Sequence, residues 1–134
     1  MKVLITGGSG LLGGYLVKEL EDRGIDYFAP TSDKCDVTSH KSLTHTFRMY
    51  NPNVVIHCAA IAKFKIVEEN PLKALSVNVV GTSKLVSVCN YSENDVKLVY
   101  ISTDHVFDGK KGNYSVSDKV NPLTKLAKTK VSGE

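Results

Sequence analysis

The chain opens on Lys2-Val3-Leu4-Ile5-Thr6, an apolar run too short for a helix, and ends it on Gly7-Gly8. A β-rich run of that length bounded by glycine predicts a buried strand. From about Leu11 to Arg23 the apolar residues recur at helical spacing, and Gly24 supplies the stop. Ile25 to Ala29 reads as a second strand ended by Pro30, Ser39 to Met49 as a second helix with Pro52 just beyond it, and Asn53 to Cys58 as a third strand. Asn70 as N-cap and Pro71 at the first helical position start a long helix. Its buried stripe is read as Leu72, Leu75, Val79, Leu85 and Val86, and it breaks between Tyr91 and Asp95. Val96 to Ile101 makes a fourth strand, and Asn121-Pro122 repeats the helix-start signal for a final helix.

Strands alternating with helices predict a parallel sheet covered on both faces, because right-handed crossovers leave few other topologies. The expected fold is therefore α/β, a Rossmann-like doubly wound sheet with spatial order 3-2-1-4. With 134 residues the chain holds one domain and has no room for a second, substrate-binding one. A six-strand sheet is not completed by Glu134, so the fold is expected to be incomplete, the N-terminal part of a larger architecture.

Composition narrows the function classes. The net charge is +3, with lysines scattered among acidic residues and only Lys110-Lys111 adjacent, which argues against nucleic-acid binding and for a solvated surface. Cys35, Cys58 and Cys89 form no CxxC pair, and the odd number suits a reducing, cytoplasmic location. His40, His45, His57 and His105 lack metal-ligand spacing, so no metal site is expected. The chain begins on a strand and not on a cleavable leader, and no run approaches the roughly 18 apolar residues of a membrane span.

The chemistry concentrates at two strand ends. Gly7-Gly8-Ser9-Gly10-Leu11-Leu12-Gly13 joins the first strand to the first helix. Gly7, Gly10 and Gly13, spaced three apart, permit a tight turn, close approach of a pyrophosphate to the backbone, and close packing of helix on sheet. The helix N-terminus then faces the phosphates, which makes this a dinucleotide-binding fingerprint. Beyond the second strand stand Ala29, Pro30, Thr31 and Ser32, with no carboxylate for a free ribose 2′-hydroxyl. Asp33 is a candidate for that acid, but Pro30 ends the strand early and puts it in the following loop, whereas Ser32 and Lys34 suit a 2′-phosphate, so NADP(H) is favoured, with NAD(H) as the alternative. At the fourth strand's end, "STDHVFDG" crowds Ser102, Thr103, Asp104 and His105 together.

Taken in order, "TGGSGLLG", "CDVTS", "PNVVIHCAA", "EENPLKALSVNVVGT", "STDHVFDG" and "NPLTKLAKTKVSGE" resemble the extended short-chain dehydrogenases, and most closely the dTDP-4-dehydrorhamnose reductase family. The regulatory β subunit of methionine adenosyltransferase belongs to the same branch. The resemblance implies an NADPH-dependent reductase of a 4-keto sugar nucleotide, of the dTDP-4-dehydrorhamnose to dTDP-rhamnose type. The alternative it implies is a non-catalytic NADP-binding regulatory protein. The expected partner, if the chain is active, is a sugar nucleotide; a homo-oligomer is left open.

Site residues follow from the same resemblance. The family's Tyr-x-x-x-Lys pair places its lysine on Lys130 and its tyrosine on Leu126, which has no proton to give. Thr103, with Ser102 beside it, matches the hydroxyl that orients the substrate carbonyl. Gly7, Gly10, Leu11, Leu12 and Gly13 match the phosphate loop, and Asp36 and Val37 the adenine-flanking pair. Cys58, Ala59 and Ala60 match the small-residue loop under the cofactor, and Asn78 an active-site Asn on the long helix. Phe64-Lys65-Ile66 stands where the family carries Val-Asp-Lys, and His105 where it carries a tyrosine. Lys130 without its tyrosine reads equally as a solvent-facing helix lysine.

Overall fold

The computed structural model describes residues 1–134, with four parallel strands in one sheet. They are β1 (Lys2–Thr6), β2 (Asp26–Phe28), β3 (Val54–His57) and β4 (Lys97–Tyr100). Around them lie α1 (Leu11–Asp22), α2 (His40–Tyr50) and α3 (Phe64–Glu69). A long helical stretch follows, divided into α4 (Pro71–Leu75), a π-helical turn (Ser76–Gly81) and α5 (Thr82–Asn90), and α6 (Lys125–Gly133) closes the chain.

β1 is buried on both faces, which is why its apolar run is continuous. Val3 and Ile5 pack with Leu20 of α1, while Leu4 faces Leu43 and Phe47 of α2, Val55 of β3, and Leu85 and Val88 of α5. Each such side chain contributes roughly 1.5–3 kcal/mol on burial.

The sheet order is β2-β1-β3-β4, not the expected 3-2-1-4. Packing α1 and α2 on opposite faces turns two right-handed crossovers in opposite directions, so β2 and β3 flank β1 on its two sides. Residues 35–37 follow β2, and Cys35 and Val37 fill the core without forming a paired strand. The direction of winding therefore reverses between β1 and β3, and ligands of such sheets bind outside the strands' carboxyl ends at that point.

Helix boundaries follow local chemistry. Gly24, at φ +61°, ends α1 with the Gly24 N–H on Glu21 O at 3.0 Å and the Ile25 N–H on Leu20 O at 2.9 Å. Ser39 caps α2 by accepting from the Ser42 N–H at 3.3 Å.

The long helix departs most from expectation. Asn70 precedes α4 but its side chain makes no capping bond, and α3, which the apolar pattern did not predict, ends immediately before it. Leu72 and Leu75 are 79% and 43% exposed. The π-helical turn inserts extra backbone and shifts the phase of the buried face. That face is Ala74, Asn78, Gly81, Thr82, Leu85, Val88 and Cys89. Pro71–Asn90, 20 residues with mean hydropathy 1.2, is long and apolar enough by length and composition to cross a membrane. Here it packs as the core helix, with Leu85 fully buried and Asn78 and Thr82 bonded internally.

α6 also starts later than Asn121-Pro122 predicted. Thr124 caps it, accepting from the Ala127 N–H at 3.1 Å. Asn121 instead secures the preceding loop, donating through its backbone to Val106 O at 2.8 Å and through Nδ2 to Asp108 Oδ2 at 2.9 Å.

Candidate functional site

A cleft of about 740 Å³ opens at the carboxyl ends of β1, β3 and β4, where the winding reverses. Gly7, Gly10, Leu11, Leu12 and Gly13 form one wall; Cys58 and Ala60 lie between; Ser102, Thr103, Leu126 and Lys130 form the other. Ala62, Phe64, Ile101, His105 and Thr124 complete the lining.

The three spaced glycines do different things. Gly7 has φ +73°, and a Cβ there would lie 2.6 Å from Ala59 N. A Cβ on Gly13 would lie 2.2 Å from Gly7 O, so both positions are closed by the chain's own backbone. Around a Cβ on Gly10 only Gly7 O approaches, at 3.2 Å, so the space beside Gly10 belongs to the cleft. Gly10 is the N-cap of α1, whose first turn contains no acidic residue. The unpaired N–H groups and positive end of the helix dipole thus face the cleft.

Beneath the cleft runs a buried hydrogen-bond chain whose polarity is fixed at one end. The Thr82 hydroxyl donates to Asn78 O at 2.8 Å, so it accepts from His57 Nε2, 3.0 Å away. His57 Nδ1 then accepts from the Thr6 hydroxyl at 2.6 Å, and Thr6 Oγ1 in turn accepts from the Ala59 N–H at 3.3 Å. Burial, and secondarily the Lys130 charge, lowers the His57 pKa to about 4, so the imidazole is neutral at physiological pH.

Asn78 extends the chain. Its Oδ1 accepts from the Ile61 N–H at 2.8 Å, and its Nδ2 donates to Ile61 O at 3.1 Å and Thr129 Oγ1 at 3.0 Å. The Thr129 hydroxyl donates to Leu126 O at 2.7 Å. Asn78 is only 1% exposed and all its polar atoms are used, so it fixes the small-residue loop and α6 relative to each other and does not itself line the cleft. The π-helical turn is what brings this residue to bear on both partners.

Lys130 is not the solvent-facing lysine that its sequence context allowed. It is 8% exposed, with its ammonium 4.2 Å from the centre of the Tyr100 ring. Burial lowers its pKa, while Glu134 and Cys58 act in the opposite direction. The Tyr100 hydroxyl donates to Lys130 O at 3.2 Å, and burial and Glu134 push its pKa up to about 12. Thr103 Oγ1 caps the turn after β4, accepting from the His105 N–H at 3.3 Å and donating to Asp104 Oδ1 at 3.2 Å. Ser102 donates to the Glu134 carboxylate. Leu126 reaches the cleft at the position read as the family tyrosine.

Other predicted residues lie outside the cleft lining. Asp36 Oδ1 holds a turn, accepting from the Thr38 N–H at 2.8 Å and hydroxyl at 2.7 Å. Val37 is buried against Gly81. Ala59 contacts Gly7 through its backbone. Ser32 and Lys34 are exposed in the loop after β2, which reaches the glycine loop through the approach of Ala29 to Gly8. His57, Thr6, Thr82, Ile61 and Thr129 were not singled out by the sequence. The available signal was His57 itself, which shares a strand face with the core residue Val55 and therefore had to be buried.

A dinucleotide fits these residues: a cradle that a Cβ on Gly10 would fill, a floor of small side chains, and a buried ammonium at the far wall. Residues 1–134 match the RmlD substrate binding domain. The chain belongs to that family. It is 33% identical over 135 residues to dTDP-4-dehydrorhamnose reductase of Mycolicibacterium smegmatis, covering 99% of this chain and 40% of that protein. To methionine adenosyltransferase 2 subunit beta of Danio rerio it is 33% identical over 140 residues, covering 99% and 42%. The crystal structure of dTDP-4-dehydrorhamnose reductase from Bacillus anthracis in complex with NADP superposes with a TM-score of 0.91 at 29% identity, covering 98% of this chain and 47% of that one. The chain thus spans less than half the length of these relatives and shares the Rossmann-like fold of the reductase structure.

Proposed function

We propose that this RmlD-family chain is the NADP(H)-binding half of a reductase acting on a 4-keto sugar nucleotide. The observation that carries the reading is the single cleft in which the glycine loop, Thr103 and Lys130 meet. The chemistry a nicotinamide cofactor supplies when bound is hydride transfer; binding, orientation and proton handling fall to the chain. The N–H groups of Leu11, Leu12 and Gly13 hold the pyrophosphate. Cys58 and Ala60 leave room for the cofactor, and Ser32 and Lys34 hold a 2′-phosphate. The Lys130 ammonium, free of any carboxylate contact, bonds ribose hydroxyls, and the Thr103 hydroxyl aligns a carbonyl oxygen.

Leu126 favours a second reading, a nucleotide-binding regulatory protein without turnover. A leucine removes a general acid, and such a group contributes typically about 10²–10⁴-fold. Reduction of dTDP-4-dehydrorhamnose, followed by NADPH absorbance in the wild type and in Leu126→Tyr with a sugar-nucleotide-binding half joined to this chain, separates the two. Turnover that rises by about that factor in the variant supports the reductase. Saturable NADPH binding with no turnover in either protein supports the regulator.

A further inference from the structure

We propose that Lys130 is a carbonyl-reactive lysine: its side-chain amine, buried in the cleft wall and paired with no carboxylate, condenses with small aldehydes or ketones that enter the cleft to form a Schiff base. This inference does not depend on the reductase or regulator readings.

The sequence has 15 lysines, and Lys130 is the one that is buried. Its ammonium takes part in none of the salt bridges, which engage Lys65, Lys111 and Lys125 among the lysines. Its neighbour is the Tyr100 ring at 4.2 Å. Leu126, one turn earlier on the same helix face and in the same cleft, offers neither acceptor nor charge. The titratable groups around it are Cys58 just after β3, neutral His57 below, Tyr100 on β4 and Glu134 just beyond α6. The Glu134 carboxylate accepts from Ser102 and raises the lysine pKa, but burial, the largest influence, lowers it. Burial increases the share of free amine relative to an exposed lysine, and the amine is the nucleophile for carbonyl carbon.

The step is redox-neutral. The amine nitrogen bonds to the carbonyl carbon, the carbonyl oxygen takes up a proton, and the carbinolamine loses that oxygen as water to leave a carbon–nitrogen double bond. The cleft, at about 740 Å³, has ample room for a small open-chain sugar or a shorter aldehyde.

The test is glycolaldehyde at neutral pH with borohydride trapping of the full chain, followed by peptide mapping. Among lysine side chains, the expected first label is Lys130, with that label lost in Lys130→Met. The same mapping in urea, where burial is gone, should erase the preference and guards against a variant that does not fold. Label spread over exposed lysines while Lys130 stays unmodified in the native chain would overturn the proposal, as would an equal preference in urea.

Discussion

Lowering the pH from neutral to 4.5 should destabilise this fold through one buried imidazole. His57 titrates at about 4 in the folded chain, against 6.5 for an unperturbed histidine. Between those values only the unfolded chain holds the proton, so stability is complete above about pH 6.5 and falls as the pH drops towards 4. Each pH unit in that window costs about 1.4 kcal/mol, and the whole window about 3 kcal/mol. That is a large share of the roughly 5–15 kcal/mol that holds a typical domain together. The assay is urea unfolding at pH 7.5 and 4.5 for the wild type and for His57→Gln, which keeps hydrogen-bonding capacity but cannot titrate. Exposed groups contribute similarly to both proteins, so the wild type should lose about 2–3 kcal/mol more on acidification than the variant. Equal losses would refute the burial argument, and so would an NMR titration placing His57 near its unperturbed value.

Two further substitutions follow from backbone and loop geometry. Gly7→Ala should lower the unfolding free energy, read from urea titration, by about 1–2 kcal/mol from its φ of +73° alone, with more from the clash at Ala59 N; an unchanged unfolding free energy would contradict the packing described. Asp108 accepts from the Tyr114 hydroxyl at 2.5 Å, the Lys110 N–H at 3.0 Å and Asn121 Nδ2 at 2.9 Å, bonds that hold its pKa at about 2, below the usual 3.8. Its contribution to loop order is therefore full above 3.8 and is lost as the pH falls through about 2, and Asp108→Asn should speed limited proteolysis between residues 109 and 120 at neutral pH; equal cleavage rates would count against it.

The sequence made the elements legible where one rule acted alone. Gly24 and Ser39 marked helix ends because left-handed backbone and an N-cap hydroxyl are local requirements. The glycine loop was legible for the same reason, since strand, turn and helix must follow one another there. What was hidden depends on partners distant in sequence. The β2-β1-β3-β4 order depends on which sheet face each helix covers, and the run after β2 gave no sign that it would stay unpaired. Leu72 and Leu75 looked buried because a regular period was assumed, whereas the π-helical turn rotates Asn78 and Thr82 inward. Asn121-Pro122 imitates a helix start, yet Asn121 is committed to Asp108. The cleft brings Lys130, Thr103, Cys58 and Ala60 together, while Asn78 is bonded to Ile61 and Thr129.

The central claim is that the cleft is a working dinucleotide cradle, and Gly10→Val tests it most directly. A Cβ at Gly10 meets only Gly7 O, at 3.2 Å, so the variant should still fold with a modest loss of stability, verified by its melt, while filling the space meant for a pyrophosphate. NADPH fluorescence titration is predicted to show saturable binding to the wild type, stronger than for NADH, and none to the variant. Absence of binding to a well-folded wild-type chain, or undiminished binding in Gly10→Val, would contradict the account.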